Sequence, residues 1–473
     1  MNESMKGNLM KSRNTIFRNR SVVAQTTRGL ITLLISVALL GINPAQRAVV
    51  ARSATTANVV TPTTALPLTG IFQTINNLPG DQLDAHVDDD LASYFNNDLT
   101  QHSWTIRYFD FATNTDRAVP TNGRVFHSDV SGDRISFIEG DGTLSGPHII
   151  LFDSVLQTRT VVPGFGHLRP ALGSNLVAFE QRTYEPPSNW FLTEAEIGVY
   201  DLSSGTVTSL SDDDQFDFYP AVSPTGNVVA WTKCQTNQSG CDIYTAVRTA
   251  PGVFNIQALT GTSGEEAFPR TNDQQVVYVA MRNGESDIDI YYQPVAGGAE
   301  TRISIPGEQR SPNISGNLIS FESETPDGFF DVFVYDINTA QLYQVTNTPG
   351  LPETLSDISV RDGIARVVYA APVADYDLFA FTFAVPNSAD DQINDLIELV
   401  ESFDLPHGIE KSLITKLEDA LAAVASGDTA TACSSLTAFI NESLAQSGKK
   451  LTADQATQLI TAAQEIKSAL GCQ

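Results

Sequence analysis

The sequence predicts a mainly β fold, a seven-bladed β-propeller, followed by a small C-terminal α-helical bundle. Three observations predict it: a β unit repeating at roughly 40–49 residues, a spare strand before the first unit matched by a last unit that lacks one, and a late switch to helical periodicity. The repeat carries a short apolar strand ending in an aromatic and a longer one ending in Tyr/Phe-Asp. The first kind reads Leu91-Ala-Ser-Tyr94, Ile135-Ser-Phe137, Val177-Ala-Phe179, Val228-Val-Ala-Trp231, Val276-Val-Tyr278, Ile319-Ser-Phe321 and Val367-Val-Tyr369. The second includes Ile106-Arg-Tyr-Phe-Asp110, Ile149-Ile-Leu-Phe-Asp153, Ile197-Gly-Val-Tyr-Asp201 and Val332-Phe-Val-Tyr-Asp336. Short strands at even spacing, separated by turn residues, indicate antiparallel blades of four strands. The units begin near residues 80, 124, 166, 215, 264, 309 and 352.

The last unit stops at Val385-Pro386, one strand short. The spare strand Gly70-Ile-Phe-Gln-Thr-Ile75 precedes the first unit. Pairing the two closes the ring and covers an exposed sheet edge. Six blades are the alternative, if the first unit is an elaborated edge. On this reading residues 70–385 are the propeller, 55–69 a linker, and 386–473 a separate helical domain.

Residues 1–54 read as a signal peptide and processing region. Six basic residues from Lys6 to Arg28 precede the 13-residue apolar run Leu30–Ile42, and small residues follow; that order is secretory. The run is short of the roughly 20 residues a spanning helix needs. The expected localisation is therefore secreted, extracellular or periplasmic, with no integral membrane segment once the signal is removed. Without residues 1–54, 20 Lys/Arg stand against 54 Asp/Glu, a formal net charge of −34. Such a field repels phosphate backbones, so nucleic acid is not an expected partner. Four cysteines in two separated pairs suggest the disulfides Cys234–Cys241 and Cys433–Cys472 in an oxidising compartment.

Beyond Pro386, four amphipathic segments are bounded by their caps: Ser388 with Asp391, the stops at Gly427 and Gly448, Asp428, and Thr452 with Gln455. Their apolar stripes carry Ile393, Leu396 and Val400; Leu413, Leu417 and Val424; Leu436, Phe439, Ile440 and Leu444; and Leu459, Ala463 and Ile466.

Several segments are similar to known families. Tyr219-Pro-Ala-Val-Ser-Pro-Thr-Gly226, Ser311-Pro-Asn-Ile-Ser-Gly316, Asp129-Val-Ser-Gly132 and Asp331-Val-Phe-Val-Tyr-Asp336 resemble the PD40-type repeats of the TolB family. That resemblance implies a propeller and leaves function open, since such propellers serve as binding modules and as hydrolase accessories. Leu405-Pro-His-Gly-Ile409, Ala432-Cys433, Ala438-Phe439-Ile440-Asn441, Ser447-Gly448-Lys449-Lys450-Leu451-Thr452 and Leu470-Gly471-Cys472 resemble the FIMAH domain found at the ends of secreted bacterial proteins.

No catalytic constellation is visible. His-Glu-x-x-His, Gly-x-Ser-x-Gly and phosphate-binding glycine loops are absent, so no catalytic residue, cofactor or metal is expected, and the chain reads as no enzyme. His86, His127 and His167 fall at different registers from their second strands and are not expected to converge. The binding expectation rests on blade geometry. Connections between blades and loops between second and third strands share a face. That face should carry Asp81, Gln82, Asp214, Gln215, Glu265, Glu266, Glu308 and Gln309, beside Tyr184, Trp190 and Phe191 on the longest loop. The expected function is binding or scaffolding of a protein, peptide or cell-wall partner. The alternative is a glycan hydrolase or lyase with carboxylates at the channel mouth.

Overall fold

The computed structural model describes residues 57–472, apart from 63–64, 99–100, 102, 141–146, 165, 185–191, 236–239, 262–263, 283–286, 374 and 386–387. The expected signal region lies outside the described residues, as do Trp190, Phe191 and the Pro386-Asn387 link. The chain divides into two compact units, ending and beginning at Phe383 and Ala384.

The first unit is the propeller. Its innermost strands are Asp81–Asp88, Arg124–Ser131, His167–Leu172, Phe216–Val222, Glu265–Thr271, Gln309–Ser315 and Thr354–Arg361. Each packs on the next, and the last returns to the first, so they ring a central channel. Each opens a four-stranded antiparallel meander, and a parallel bridge from Ala195 to Phe216 merges blades 3 and 4 into one eight-stranded sheet.

The aromatic that ends each second strand explains why the blades stack. Tyr94, Phe137, Phe179, Trp231, Tyr278 and Phe321 are at most 1% exposed, and Tyr369 of the last blade is buried too. A strand sandwiched between two neighbouring sheets has no solvent face, which is why Val228–Cys234 is buried at every position. Burying one such ring contributes about 2–3 kcal/mol. The aspartates closing third strands act as turn formers. Asp153 accepts from Val155 and Leu156 N–H at 3.0 and 2.7 Å, and Asp336 accepts from Asn338 N–H at 2.9 Å.

Ring closure follows the expected route and extends it. Ile71–Asn76 pairs antiparallel with Tyr376–Ala384 and completes blade 7. The stretch expected to be a linker is also engaged. Asn58–Val60 lies parallel to Thr301–Ile303 at the rim of blade 5, and Leu66–Pro67 lies parallel to Gln341–Gln344 at the rim of blade 6. The N-terminal segment is thus a strap over three consecutive blade edges. Its closing strand buries less than its composition suggests: Ile75 is buried, whereas Ile71 and Phe72 are 71% and 59% exposed. Phe72 still lies 4.4 Å from Phe381. At Gly70 a Cβ would meet Thr382 O and the Phe381 ring at 2.5 Å, so only glycine admits this approach.

The second unit is a four-helix bundle of Ala389–Ser402, His407–Ala425, Thr429–Gln446 and Ala453–Ala469. Each helix packs on its sequence neighbour, and the fourth packs back on the first. Ser388 and Asp428 accept from the N–H groups of Asp391 and Thr431, and Thr452 and Gln455 form a reciprocal capping box at 2.9 and 3.1 Å. Ile393, Leu396, Val400, Leu413, Leu417, Leu436, Phe439, Leu459 and Ile466 make the core. Leu444, expected inside, is 63% exposed. Both expected disulfides are present, and Cys433–Cys472 ties the third helix to the chain end. No helix among the described residues is long and apolar enough to cross a membrane.

The strap makes a graded prediction. Deleting residues 55–64 removes the blade 5 edge strand and should lower the melting temperature. Deleting 55–78 should lower it further and promote aggregation through the opened edge of blade 7. Ile75→Ala alone should cost about 2–5 kcal/mol. Calorimetry that found the shorter deletion as stable as the intact chain would show that the parallel strand contributes nothing.

Candidate binding site at the channel mouth

All seven inner strands break register at the same place. The shifts fall between Leu83 and His86, Phe126 and Ser128, Leu168 and Ala171, Phe218 and Ala221, Ala267 and Arg270, Arg310 and Asn313, and Thr354 and Asp357. Within each shift one non-glycine residue has left-handed backbone: Asp84, His127, Arg169, Tyr219, Phe268, Ser311 and Leu355, with φ between 45° and 56°. Such a conformation costs on the order of 1–2 kcal/mol per residue. A bulge bends its strand and re-aims the side chain, so a sevenfold strain sets seven side chains at equivalent positions around the channel.

Three consecutive pairs in this ring touch. His127 Nδ1 lies 3.2 Å from Asp84 Oδ2, the Arg169 guanidinium lies over the Tyr219 ring at 4.5 Å, and Tyr219 meets Phe268 at 4.4 Å. All seven are at least partly exposed. Blades 1 and 2 therefore offer a carboxylate and an imidazole, and blades 3 to 5 offer a guanidinium and two aromatic faces.

Two residues further along, a second tier welds neighbouring blades. Asp129 accepts from Leu172 N–H at 2.7 Å and Asp357 from Val87 N–H at 2.9 Å. Arg270 donates to Asn313 at 2.8 Å, and Asn313 donates to Ser356 O at 2.5 Å. His86 belongs to this tier. Its Nδ1 lies 3.4 Å from Asp357 and 3.6 Å from Asp129, and its Nε2 lies 3.9 Å from Asp84. Burial opposes its charge, but the charge of Asp129 and the hydrogen bonds of Asp357 and Asp84 prevail and hold it well above the usual histidine range. Burial likewise works to raise Asp84, and the hydrogen bonds and charges of His127 and His86 outweigh it, holding that carboxyl well below its usual range. On this side of the ring a histidine whose charged form is favoured lies among three carboxylates.

Several sequence expectations change here. Gln82, Glu266 and Gln309 are fully buried and turn into their own blades. Gln82 donates to Leu78 O, Gly80 O and Asn96 at 2.9, 2.8 and 2.6 Å. Gln309 donates to Asp289 at 3.0 Å, and Glu266 pairs with Arg282. Alternation along the strand puts these positions inside, so they are struts. Asp81 is 8% exposed and accepts from Tyr376 N–H at 3.2 Å. Glu265 accepts from Gly240 and Cys241 N–H at 2.9 and 3.0 Å, holding the disulfide loop. Asp214 is exposed, and Gln215 and Glu308 are half-buried. Tyr184 ends the strand Leu176–Tyr184.

The histidine expectation is half corrected. His86 and His127 do converge, on Asp84. His167 does not: it is buried, stacks on Phe179 at 4.0 Å, and burial together with the charge of His148 pulls it down to about 4. The signal available in the sequence was the proline after the bulge residue, at Pro170, Pro220, Pro269 and Pro312. Aligning on it registers the inner strands directly.

The sign of these shifts predicts a pH profile. Stability from His86 is fully present below about pH 6.5, its unfolded value, and is lost as pH rises through its higher folded value. Stability from Asp84 is present above about pH 4 and is lost on acidification. His86→Gln, which strands three carboxylates without their central cation, should cost roughly 3 kcal/mol at mildly acidic pH. The difference from the native chain should shrink on alkalinisation, and a difference that stays constant across pH would contradict an imidazolium here.

No family model matches this chain, and no curated protein is similar to it. The fold is similar to solved propellers at low identity. The propeller domain of the Trilobed protease from Pyrococcus furiosus is 12% identical with a TM-score of 0.46, covering 65% of this chain and 95% of that one. An acylaminoacyl peptidase from Pyrococcus horikoshii is 11% identical with a TM-score of 0.47, covering 65% of this chain and 52%, about half, of its own. TolB from Acinetobacter baumannii is 14% identical with a TM-score of 0.36, covering 59% and 76%. Propellers of this kind thus belong to enzymes as well as to TolB. That corrects the expectation that the chain is no enzyme, because a missing motif inside a propeller does not exclude catalysis. The chain has a β-propeller with a small helical bundle after it.

Proposed function

We propose that this chain is an exported binding protein that takes a polypeptide segment of a cell-envelope partner into its channel mouth. The observation that carries the reading is the bulge ring, divided into a carboxylate–imidazole arc and a guanidinium–aromatic arc. A polypeptide answers both. Its amide N–H groups donate to Asp84, its carbonyls accept from His127 and Arg169, and an apolar side chain packs on Tyr219 and Phe268. The strain repeated in seven strands is consistent with a preorganised surface, since strained backbone concentrates where side chains must be aimed. Export is supported by the basic, apolar and small order of residues 1–54 and by two disulfides, which persist in oxidising compartments. The TolB-like and FIMAH-like segments fit the same setting.

Photocrosslinking tests this. A benzophenone side chain at position 127 should capture a protein from envelope extract. The same group at Val155, exposed in a turn between third and fourth strands, should not. Adding Tyr219→Ala with Phe268→Ala should weaken capture by roughly thirtyfold, the ~2 kcal/mol of an interface hot spot. Equal capture at 127 and 155, or capture indifferent to the aromatic changes, would refute the channel mouth as the site.

A further inference from the structure

A second group of side chains lies away from the ring, at the joint between blades 3 and 4. Glu196 comes from the strand Leu192–Asp201 of blade 3, Asp213 from the connection between the blades, and Asp217 from the inner strand of blade 4. One carboxylate oxygen of each lies within 4.8 Å of the others. Their backbones meet in the same place, at the parallel bridge from Ala195 to Phe216.

The hydrogen bonds leave this group one cation short. Lys233 donates to Asp213 Oδ1 and Oδ2 at 3.0 and 2.8 Å and to Asp217 Oδ2 at 2.8 Å. Trp231 Nε1 donates to Asp217 Oδ1. Glu196 Oε1 accepts from Asp213 N–H at 3.1 Å and the Ser211 hydroxyl acts on the same carboxyl, but Glu196 Oε2 makes no hydrogen bond of ordinary length, although the residue is only 7% exposed. An unsatisfied carboxylate oxygen in that setting costs far more than an exposed one. Burial pushes the Glu196 carboxyl up to about 7, the protein's own alternative to a counter-ion.

We propose that Glu196, Asp213 and Asp217 bind a calcium ion, which takes the free Oε2 and clamps blade 3 to blade 4. The ligands are all hard oxygens, which selects calcium, magnesium or manganese over zinc and copper. Two are fixed on strands, while Asp213 is half exposed on a connection between the exposed Asp212 and Asp214. That leaves one side of the ion to water and adjustable backbone, which suits the six to eight flexible ligands of calcium better than rigid octahedral magnesium. Lys233 is the internal competitor: its ammonium stands against two of the three carboxylates and must yield part of them. Affinity should therefore fall in the ~10⁻⁴–10⁻³ M class of extracellular calcium modules.

The test is calorimetric melting of the chain with residues 55–473, titrated with calcium chloride at constant ionic strength, with magnesium chloride as a parallel arm. The native chain should show a saturable rise of about 1–3 °C, half-complete between roughly 0.1 and 1 mM. Glu196→Gln, which keeps the acceptor for Asp213 N–H, and Asp213→Asn should both abolish the rise. Lys233→Met should melt lower without calcium and gain more from it. Asp213 is half exposed, so its variant keeps the test valid if the Glu196 variant fails to fold. No saturable rise, or an undiminished rise in Asp213→Asn, would overturn the site and leave only diffuse screening of the acidic surface. An equal response to magnesium would overturn the assignment to calcium.

Discussion

The bulge in the inner strand is the constraint on which the rest of this propeller depends. A regular strand would send alternate side chains to its two faces. By inserting a left-handed residue, each inner strand separates two tiers: Asp84, His127, Arg169, Tyr219, Phe268, Ser311 and Leu355 form a partly exposed ring, while Asp129, Asp357 and Asn313 reach the backbone of the next blade. The bulge also frees backbone N–H groups that the regular ladder would have used. Glu180 of blade 3 takes Tyr219 N–H at 2.8 Å and Glu322 of blade 6 takes Ser356 N–H at 2.8 Å, both from fully buried carboxylates. Strain in one strand is thus offset by hydrogen bonds from its neighbour, which makes the bulges a property of the ring.

That arrangement explains how one architecture holds both a rigid body and a chemically varied mouth. The welded tier and the buried second-strand aromatics fix the blades, and neither depends on which residue occupies the left-handed position. Seven blades place seven different side chains there. The polar arc and the aromatic arc follow from that freedom, and the half-buried imidazole of His86 joins the tiers by facing Asp84, Asp129 and Asp357 together.

The propeller, the ring-closing strand, both disulfides and the helix caps were legible in the sequence because each has a local signature. Aromatic-ended strands recur at a near-constant period, and Ser388, Asp428 and Thr452 precede their helices by the spacing a cap requires. The strap over blades 5 and 6 was not legible, since two or three residues are too few to show alternation. Part of the expected face is buried for a different reason. Gln82, Glu266 and Gln309 look like surface polar residues in sequence, yet strand alternation points them inward. The bulge residues share position and not type, so no composition marks them; the proline that follows four of them was the available marker.

The left-handed residues are held under strain for the sake of the binding surface they form. His127→Gly tests it most directly, because the side chain is exposed and glycine adopts its φ of 45° freely. Chemical denaturation of that variant, paired with crosslinking from Phe268, should show stability within about 1 kcal/mol of the native chain, relief of the backbone strain offsetting the lost pair with Asp84, and capture of the partner reduced. A variant that unfolds more easily while capturing the partner as before would contradict the claim and make the bulge residue a structural one.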